Sequence, residues 1–381
     1  MTIHQQADAT SRRSFLKKGG AVLAGAAVGT LAAPAVVTAQ APIVLKMQAA
    51  WGPAEVFMEM AKQYVDRVQR MSGGRLRIDL LPAGAVAGAF QVLDAVNDGV
   101  VDAGHDVCSY WYGKSKTSSL FGTGPVFGGN PFQMLSWIYA GGGKELYREL
   151  TQDQLKLNLV SFFAMPMPMQ PLGWFKKPIT AMADIRGLKY RTVGLAADLM
   201  QSMGLTVLQL AGGDIVPSMD RGVIDAFEFN NPTADRRFGA QDVAKNYMMG
   251  SYHQPNEFFE IMFNKRKFDT LPDDLKGILE HAAEAASTMN FAHAMDNYSK
   301  DLNWLTTEGK VTIRRTPKEI LNEQLAAWDK LLVTLNQDPL FKKIVDSQKA
   351  WCERVVFYDQ MNSGDAYRVA YDHYFPGKLP A

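Results

Sequence analysis

The chain has 381 residues, 47% of them hydrophobic, and its 40 Lys and Arg stand against 39 Asp and Glu. A balance this close to neutral leaves no basic stripe for a nucleic-acid backbone and no broad attraction to a membrane surface, so a partner has to be sought in a pocket. Two cysteines, Cys108 and Cys352, form neither a CxxC pair nor a disulfide framework, so the fold is expected to rest on its core.

Residues 1–39 join a polar start, the run Ser11-Arg12-Arg13-Ser14-Phe15-Leu16-Lys17-Lys18, a small-residue apolar stretch from Gly19 to Ala33, and Val37-Thr38-Ala39. These are the parts of an export signal with cleavage after Ala39. The paired arginines ahead of Phe15-Leu16-Lys17 resemble the twin-arginine signal. The apolar run carries Gly19, Gly20, Gly25 and Gly29 and falls short of the roughly 20 residues that span a bilayer. No cysteine near the cut offers a lipid anchor. Cleavage leaves 342 residues with 36 basic and 38 acidic side chains, net −2, free in the periplasm and long enough for two α/β lobes.

The mature chain opens with a strand over Ile43–Ala50, a helix over Glu55–Arg70 that stops at Ser72-Gly73-Gly74, and a strand over Leu76–Leu80, a βαβ beginning. A helix over Phe90–Asn97 ends at Gly99 and feeds a strand over Val100–Ala103. The same device returns 123 residues later, where Gly222 ends a helix before Val223-Ile224-Asp225-Ala226. DGVVDA and RGVIDA each place a Gly past a helix end and a β-branched pair after it, which implies two lobes of similar construction. From Leu271 the pattern is helical. One helix runs to about Thr307 along a stripe that includes Leu275, Leu279, Met289 and Phe291. Thr316-Pro317-Lys318-Glu319 reads as a capping box opening a helix through Leu321, Leu325 and Trp328. A third helix spans Pro339–Gln360, and Trp351, Phe357, Tyr367, Tyr371, Tyr374 and Phe375 give the tail more aromatic surface than a solvated terminus carries.

The usual enzyme signatures are missing: GxSxG, HExxH, a Walker loop and a phosphate-cradling GxGxxG after the first strand. Gly122-Thr123-Gly124 and Gly141-Gly142-Gly143 read as turns. His105, His253, His281, His293 and His373 are scattered, without metal-ligand spacing, and read as surface or capping residues. What remains is polar residues set in apolar sequence where strands give way to loops: Gln170 after Met165-Pro166-Met167-Pro168-Met169, Arg191 after Gly187-Leu188-Lys189-Tyr190, and Glu228 within Ala226-Phe227-Glu228-Phe229. Strand ends face the ligand crevice of an α/β lobe, and an arginine there offers a two-pronged clamp for an organic carboxylate. Glu228 would repel that anion unless a cation lies between them, with Glu228 and Gln170 as hard oxygen ligands. The alternative is an internal Arg191–Glu228 ion pair.

The stretch GWFKKPITAMADIRGLKYRTVGLAADLMQSMG (Gly173 to Gly204), with Gly212-Gly213-Asp214-Ile215-Val216-Pro217 and Arg221 to Glu228 after it, resembles solute receptors of the tripartite ATP-independent periplasmic (TRAP) transporters, nearest their 2-oxoacid and lactate branch. The resemblance covers essentially the whole mature chain. It implies an α/β, two-lobed periplasmic binding protein of the class II-like kind, with the cleft between the lobes and long C-terminal helices. The expected division is 40–165 for lobe I, 166–260 for the main part of lobe II, 261–340 for a returning segment with connecting helices, and 341–381 for a helical dimerisation segment. The implied function is delivery of a small organic anion, a 2-oxo or 2-hydroxy monocarboxylate, to the membrane subunits; the runner-up is a twin-arginine-exported oxidoreductase. In that branch Arg191 corresponds to the carboxylate clamp, while Gln170, Glu228 and the Phe229 main chain correspond to ligands of a metal ion bridging to the solute. Tyr110 and Tyr112, from the loop Tyr110-Trp111-Tyr112-Gly113-Lys114, are expected against its organic part. Phe229 stands where tryptophan is common. A further acidic ligand often follows a His-x-Pro-like segment; here Tyr252-His253-Gln254-Pro255 offers Gln254, and one negative charge fewer favours sodium over calcium. The branch also implies a homodimer formed by exchange of a C-terminal helix.

Overall fold

The computed structural model describes residues 41–125 and 127–379; the export signal expected over 1–39 lies outside them. Eleven strands are present among the described residues: β1 (Ile43–Ala49), β2 (Leu76–Leu81), β3 (Ala103–Asp106), β4 (Leu159–Met167), β5 (Gly173–Phe175), β6 (Lys189–Arg191), β7 (Thr206–Leu208), β8 (Ala226–Phe227), β9 (Asn246–Met249), β10 (Glu257–Asn264) and β11 (Thr312–Arg315). They form two sheets, ordered β2-β1-β3-β10-β4 and β11-β9-β5-β8-β6-β7. The first is the sheet of lobe I and the second that of lobe II.

The opening βαβ unit forms as its pattern predicts. The helix Val56–Met71 buries Val56, Phe57, Met60, Ala61, Tyr64, Val65 and Val68, one face at helical spacing, and the chain leaves it through Gly73 and Gly74 at positive φ. β1 then pairs in parallel with both β2 and β3.

The repeated hexapeptide proves to be a strand entry rather than a strand. β3 begins at Ala103 and β8 at Ala226, each after the β-branched pair. Gly99 and Gly222, at φ 75° and 69°, return their N–H groups to Val96 and Met219, and Val100 and Val223 donate to Ala95 and Ser218. Both ends are Schellman motifs, which satisfy the last helical carbonyls. Val100 and Val223 stay exposed while Val101 and Ile224 are buried. The aspartate that follows does the same task twice: Asp102 accepts from the Lys46 N–H of β1 (2.8 Å) and Asp225 from the Lys189 N–H of β6 (3.0 Å). The echo is therefore structural, one strand-pairing device in each lobe.

The chain crosses between lobes over 167–173 and again over 249–257, and the 35-residue helix Asp273–Thr307 packs on β4 and helix Val56–Met71 of lobe I and on helix Pro232–Arg237 of lobe II. Met165 takes φ 60°, unusual for a residue with a side chain, and its N–H bonds Ser287 Oγ on the long helix at 2.8 Å. Facing it, the β10–β4 register shifts between Glu257 and Phe259. The expected boundary at 260 falls inside β10, so the chain is back in the first sheet by Glu257.

Three details of the C-terminal half differ from the sequence pattern. The capping box at Thr316 does not form: Thr316 Oγ1 donates to the Met249 carbonyl and Glu319 accepts from the Met182 N–H, while helix Lys318–Leu335 starts after Pro317 without a side-chain cap. Met289 and Leu325, placed on core stripes, are exposed. Helix Pro339–Asn362 buries Phe341, Ile344, Val345, Gln348 and Cys352 on its own chain, whereas helix Ala366–Tyr374 buries nothing. Phe357, Tyr358, Met361, Tyr367 and Tyr374 are 65–79% exposed. Cys108 and Cys352 are free and buried.

Candidate functional site

β6 and β8 run parallel, with Arg191 opposite Phe227, so the residue that ends one strand meets Glu228 just beyond the other. The Glu228 N–H donates to the Arg191 carbonyl at 3.2 Å. Arg191 donates through Nη1 to the Glu228 carbonyl (2.9 Å) and carboxylate (3.0 Å), and through Nε to the Leu210 carbonyl (2.9 Å). Both side chains are at most 1% exposed. The internal ion pair weighed from the sequence is thus present. It occupies only one side of the guanidinium, since Nη2 donates to no acceptor among the described residues. The Phe229 ring lies 5.5 Å from Arg191 Cζ, a cation–π distance.

Gln170 and Gln254 sit on the two crossing segments and are joined by the Gln170 N–H to the Gln254 carbonyl at 3.1 Å. The Gln254 carboxamide nitrogen donates to Gln170 Oε1 at 3.0 Å and to the two Glu228 carboxylate oxygens at 3.3 and 3.1 Å. Turning that amide over would bring its oxygen beside theirs, so the same three side chains can gather around a hard cation.

Glu257 belongs to the same cluster and was not singled out by the sequence pattern. Its carboxylate accepts from Gln170 Nε2 at 2.5 Å and from Asn230 Nδ2, so it fixes which end of the Gln170 amide faces Gln254. Burial pushes Glu228 up to about 7 and Glu257 up to about 8, the Arg191 charge opposing the shift and the other carboxylate adding to it for Glu257. Nearby Asp235, pushed up to about 6 by burial, is held by Trp174 Nε1 and the Tyr247 hydroxyl. Among the described residues no group of three or more His, Cys, Asp or Glu is arranged to hold a metal. The oxygens here come from two carboxylates and two carboxamides, a donor set for a hard cation rather than for zinc.

Aromatic rings wall the lobe I side. Trp51 packs against Phe57 and Tyr110 with centroids 5.0 and 5.5 Å away, and Phe57 reaches Phe229 of lobe II at 5.5 Å. Tyr112 turns elsewhere: its hydroxyl bonds Asp198 Oδ2 at 2.7 Å, on the lobe II helix Leu195–Ser202, and Lys116 joins the same oxygen at 2.8 Å. Two histidines expected at the surface are fully buried. His105 Nδ1 accepts from Trp51 Nε1, His253 Nδ1 meets Ser251 Oγ, and burial lowers both to about 3, leaving them neutral.

The family model for bacterial extracellular solute-binding proteins, family 7, matches residues 47–337. A monocarboxylate 2-oxoacid-binding periplasmic protein of a Nostoc species is 30% identical over 83% of this chain and 86% of its own length. Among solved structures, a TRAP solute-binding protein of Bordetella bronchiseptica aligns with TM-score 0.83 and 25% identity over 88% of this chain and 99% of its own; it is described as a mixed-occupancy dimer with calcium and picolinate in one site. One from Pseudoalteromonas atlantica, with sodium and pyruvate bound, aligns with TM-score 0.80 and 29% identity over 86% and 99%. These relatives are receptors, and the oxidoreductase alternative finds no support among them. With its two α/β lobes, the chain belongs to family 7 of the bacterial extracellular solute-binding proteins, as an extracytoplasmic solute receptor of a TRAP transporter rather than an enzyme.

Proposed function

We propose that this receptor binds a small monocarboxylate, a 2-oxo or 2-hydroxy acid, through Arg191 and a hard cation held by Gln170, Glu228, Gln254 and the Phe229 carbonyl. The observation that carries this reading is the convergence of the buried Gln170, Gln254, Glu228 and Glu257 side chains, two carboxamides and two carboxylates, beside Arg191, whose Nη1 is held by Glu228 while Nη2 donates to no acceptor among the described residues. Arg191 Nη2 takes a carboxylate oxygen, and the cation supplies the charge that lets the anion approach Glu228. The sodium preference rested on Gln254 replacing an acid. Glu257 restores the second carboxylate to the cluster, and a second acidic group favours the doubly charged ion over sodium. Tyr110 is the aromatic we assign to the organic part of the solute.

The test is calorimetry on chelator-treated protein with pyruvate, lactate and propionate, in calcium, in sodium and in neither. Micromolar binding with calcium that weakens at least tenfold without any cation supports the reading; equal affinity in all three buffers refutes the bridging ion. We assign export to the twin-arginine route through Arg12 and Arg13, which Arg12→Lys with Arg13→Lys would abolish in a fractionation assay.

We further propose a homodimer built on the C-terminal aromatics, as the Bordetella relative is described as a dimer. Because residues 341–352 pack on their own chain, the segment given to the partner begins near Phe357, and clefts around Met169, Met249, Met295 and Leu325 offer apolar surface to receive it. Light scattering decides: a monomer mass at micromolar concentration refutes the dimer, and truncation after Val356 is expected to yield monomer.

A further inference from the structure

A carboxylate that none of these roles employs projects into the same corner from the other lobe. Glu55 precedes helix Val56–Met71, and its Oε1 accepts the Gly52 N–H at 2.7 Å. Its Oε2 has no donor among the described residues. A methyl built on Gly212 of lobe II would lie 3.2 Å from that oxygen and 2.8 Å from the Phe229 ring edge. The free oxygen and the ring therefore converge on one point. Arg191 adjoins it from two directions, with Cζ 5.5 Å from the Phe229 ring and Nε bonded to the Leu210 carbonyl, two residues before Gly212. Glu55 is half-buried; burial raises its carboxyl above the usual range, and the Gly52 N–H and the Arg191 charge oppose the shift.

An acceptor at this corner, beside Gly212 and the Phe229 ring, has one chemical consequence. It welcomes a hydroxyl, amide N–H or ammonium on the bound solute and repels a carbonyl oxygen at the same place. We propose that Glu55 is the specificity-determining residue of this receptor, selecting 2-hydroxy over 2-oxo monocarboxylates by accepting a hydrogen bond from the solute hydroxyl. This rests on Arg191 as the carboxylate clamp.

The experiment compares L- and D-lactate, pyruvate and propionate, which differ only at C2, by calorimetry on the calcium-loaded full-length mature protein. The wild type is expected to hold one lactate enantiomer about tenfold or more tighter than pyruvate, the effect of one hydrogen bond to a charged acceptor. Glu55→Gln keeps the shape and the acceptor for Gly52 and gains a donor, so the lactate-to-pyruvate ratio should fall to near one while the melting temperature holds. If pyruvate binds the wild type more tightly than lactate, or the ratio is the same in Glu55→Gln, the selectivity role is wrong. The two readings separate cleanly: an unmoved ratio with binding still abolished by Arg191→Met overturns Glu55 alone, whereas a wild type that binds none of these acids overturns the carboxylate reading with it.

Discussion

Replacing Arg191 by Met tests how far one side chain serves both stability and binding. The guanidinium is buried and satisfies the Leu210 carbonyl, the Glu228 carbonyl and the Glu228 carboxylate. Stripping one partner from a buried ion pair costs about 3–5 kcal/mol, and each carbonyl left without a donor costs about 1–3 kcal/mol more, less whatever water recovers. Glu228 can escape part of the penalty by taking up a proton, since burial already raises it to about 7. The loss should therefore be largest above that pH. At pH 8 we expect Arg191→Met to lose about 4–6 kcal/mol in urea melts, a large share of a typical domain's stability, together with all carboxylate binding. Glu228→Gln removes the buried charge, so the double variant should be more stable than the sum of the single losses by about 2 kcal/mol. Additivity within about 0.5 kcal/mol would show that the two groups do not depend on each other and would refute the shared role.

The cation itself should be visible in the pH dependence of stability. Glu228 and Glu257 rise from 4.5 to about 7 and 8, so between those limits the folded protein holds more protons than the unfolded chain, and cation-free stability falls as pH rises from 5 to 8. Millimolar calcium should flatten that slope in the same melts, and parallel curves with and without calcium would count against a cation at this cluster. Asp198→Asn weakens the bridge from Tyr112 and Lys116 across the lobes; because Lys116 is half-exposed the loss is modest, about fivefold in solute affinity with the melting temperature little changed. Unchanged affinity in calorimetry would mean that the bridge does not favour closure. Gly173→Ala is expected to be severe, since φ is 122° and the new methyl would sit 2.1 Å from the Phe227 carbonyl, splitting β5 from β8 beside the site. A melt within about 1 kcal/mol of wild type would show that the sheet yields there.

Strand-end reasoning found Arg191 and Glu228 because parallel pairing carries its own register: once β6 and β8 lie side by side, the residues at their ends have to meet. It could not find Glu257. In Glu257-Phe258-Phe259-Glu260 the acids stand three apart, on opposite faces of a strand, and nothing in this wholly buried run says which face meets the site: Glu257 joins the cluster, while Glu260 goes into lobe I to meet Cys108, Trp111, Tyr147 and Ser161. Tyr112 was misdirected for a related reason, since it follows the 3-10 turn Cys108–Trp111, where neither strand nor helix periodicity sets a direction. The histidines were misread because burial depends on what lies opposite, and Trp51 and Ser251 come from distant or irregular sequence. The same irregularities lie where the lobe crossings meet the site. Met165 at positive φ and the shifted β10 register mark the two crossings, and a few residues from them stand Gln170 and Gln254, whose carboxamides gather beside Glu228 of the second sheet. A cation gripping all three would tie both crossings to lobe II at once, so filling the site and fixing the hinge become a single event.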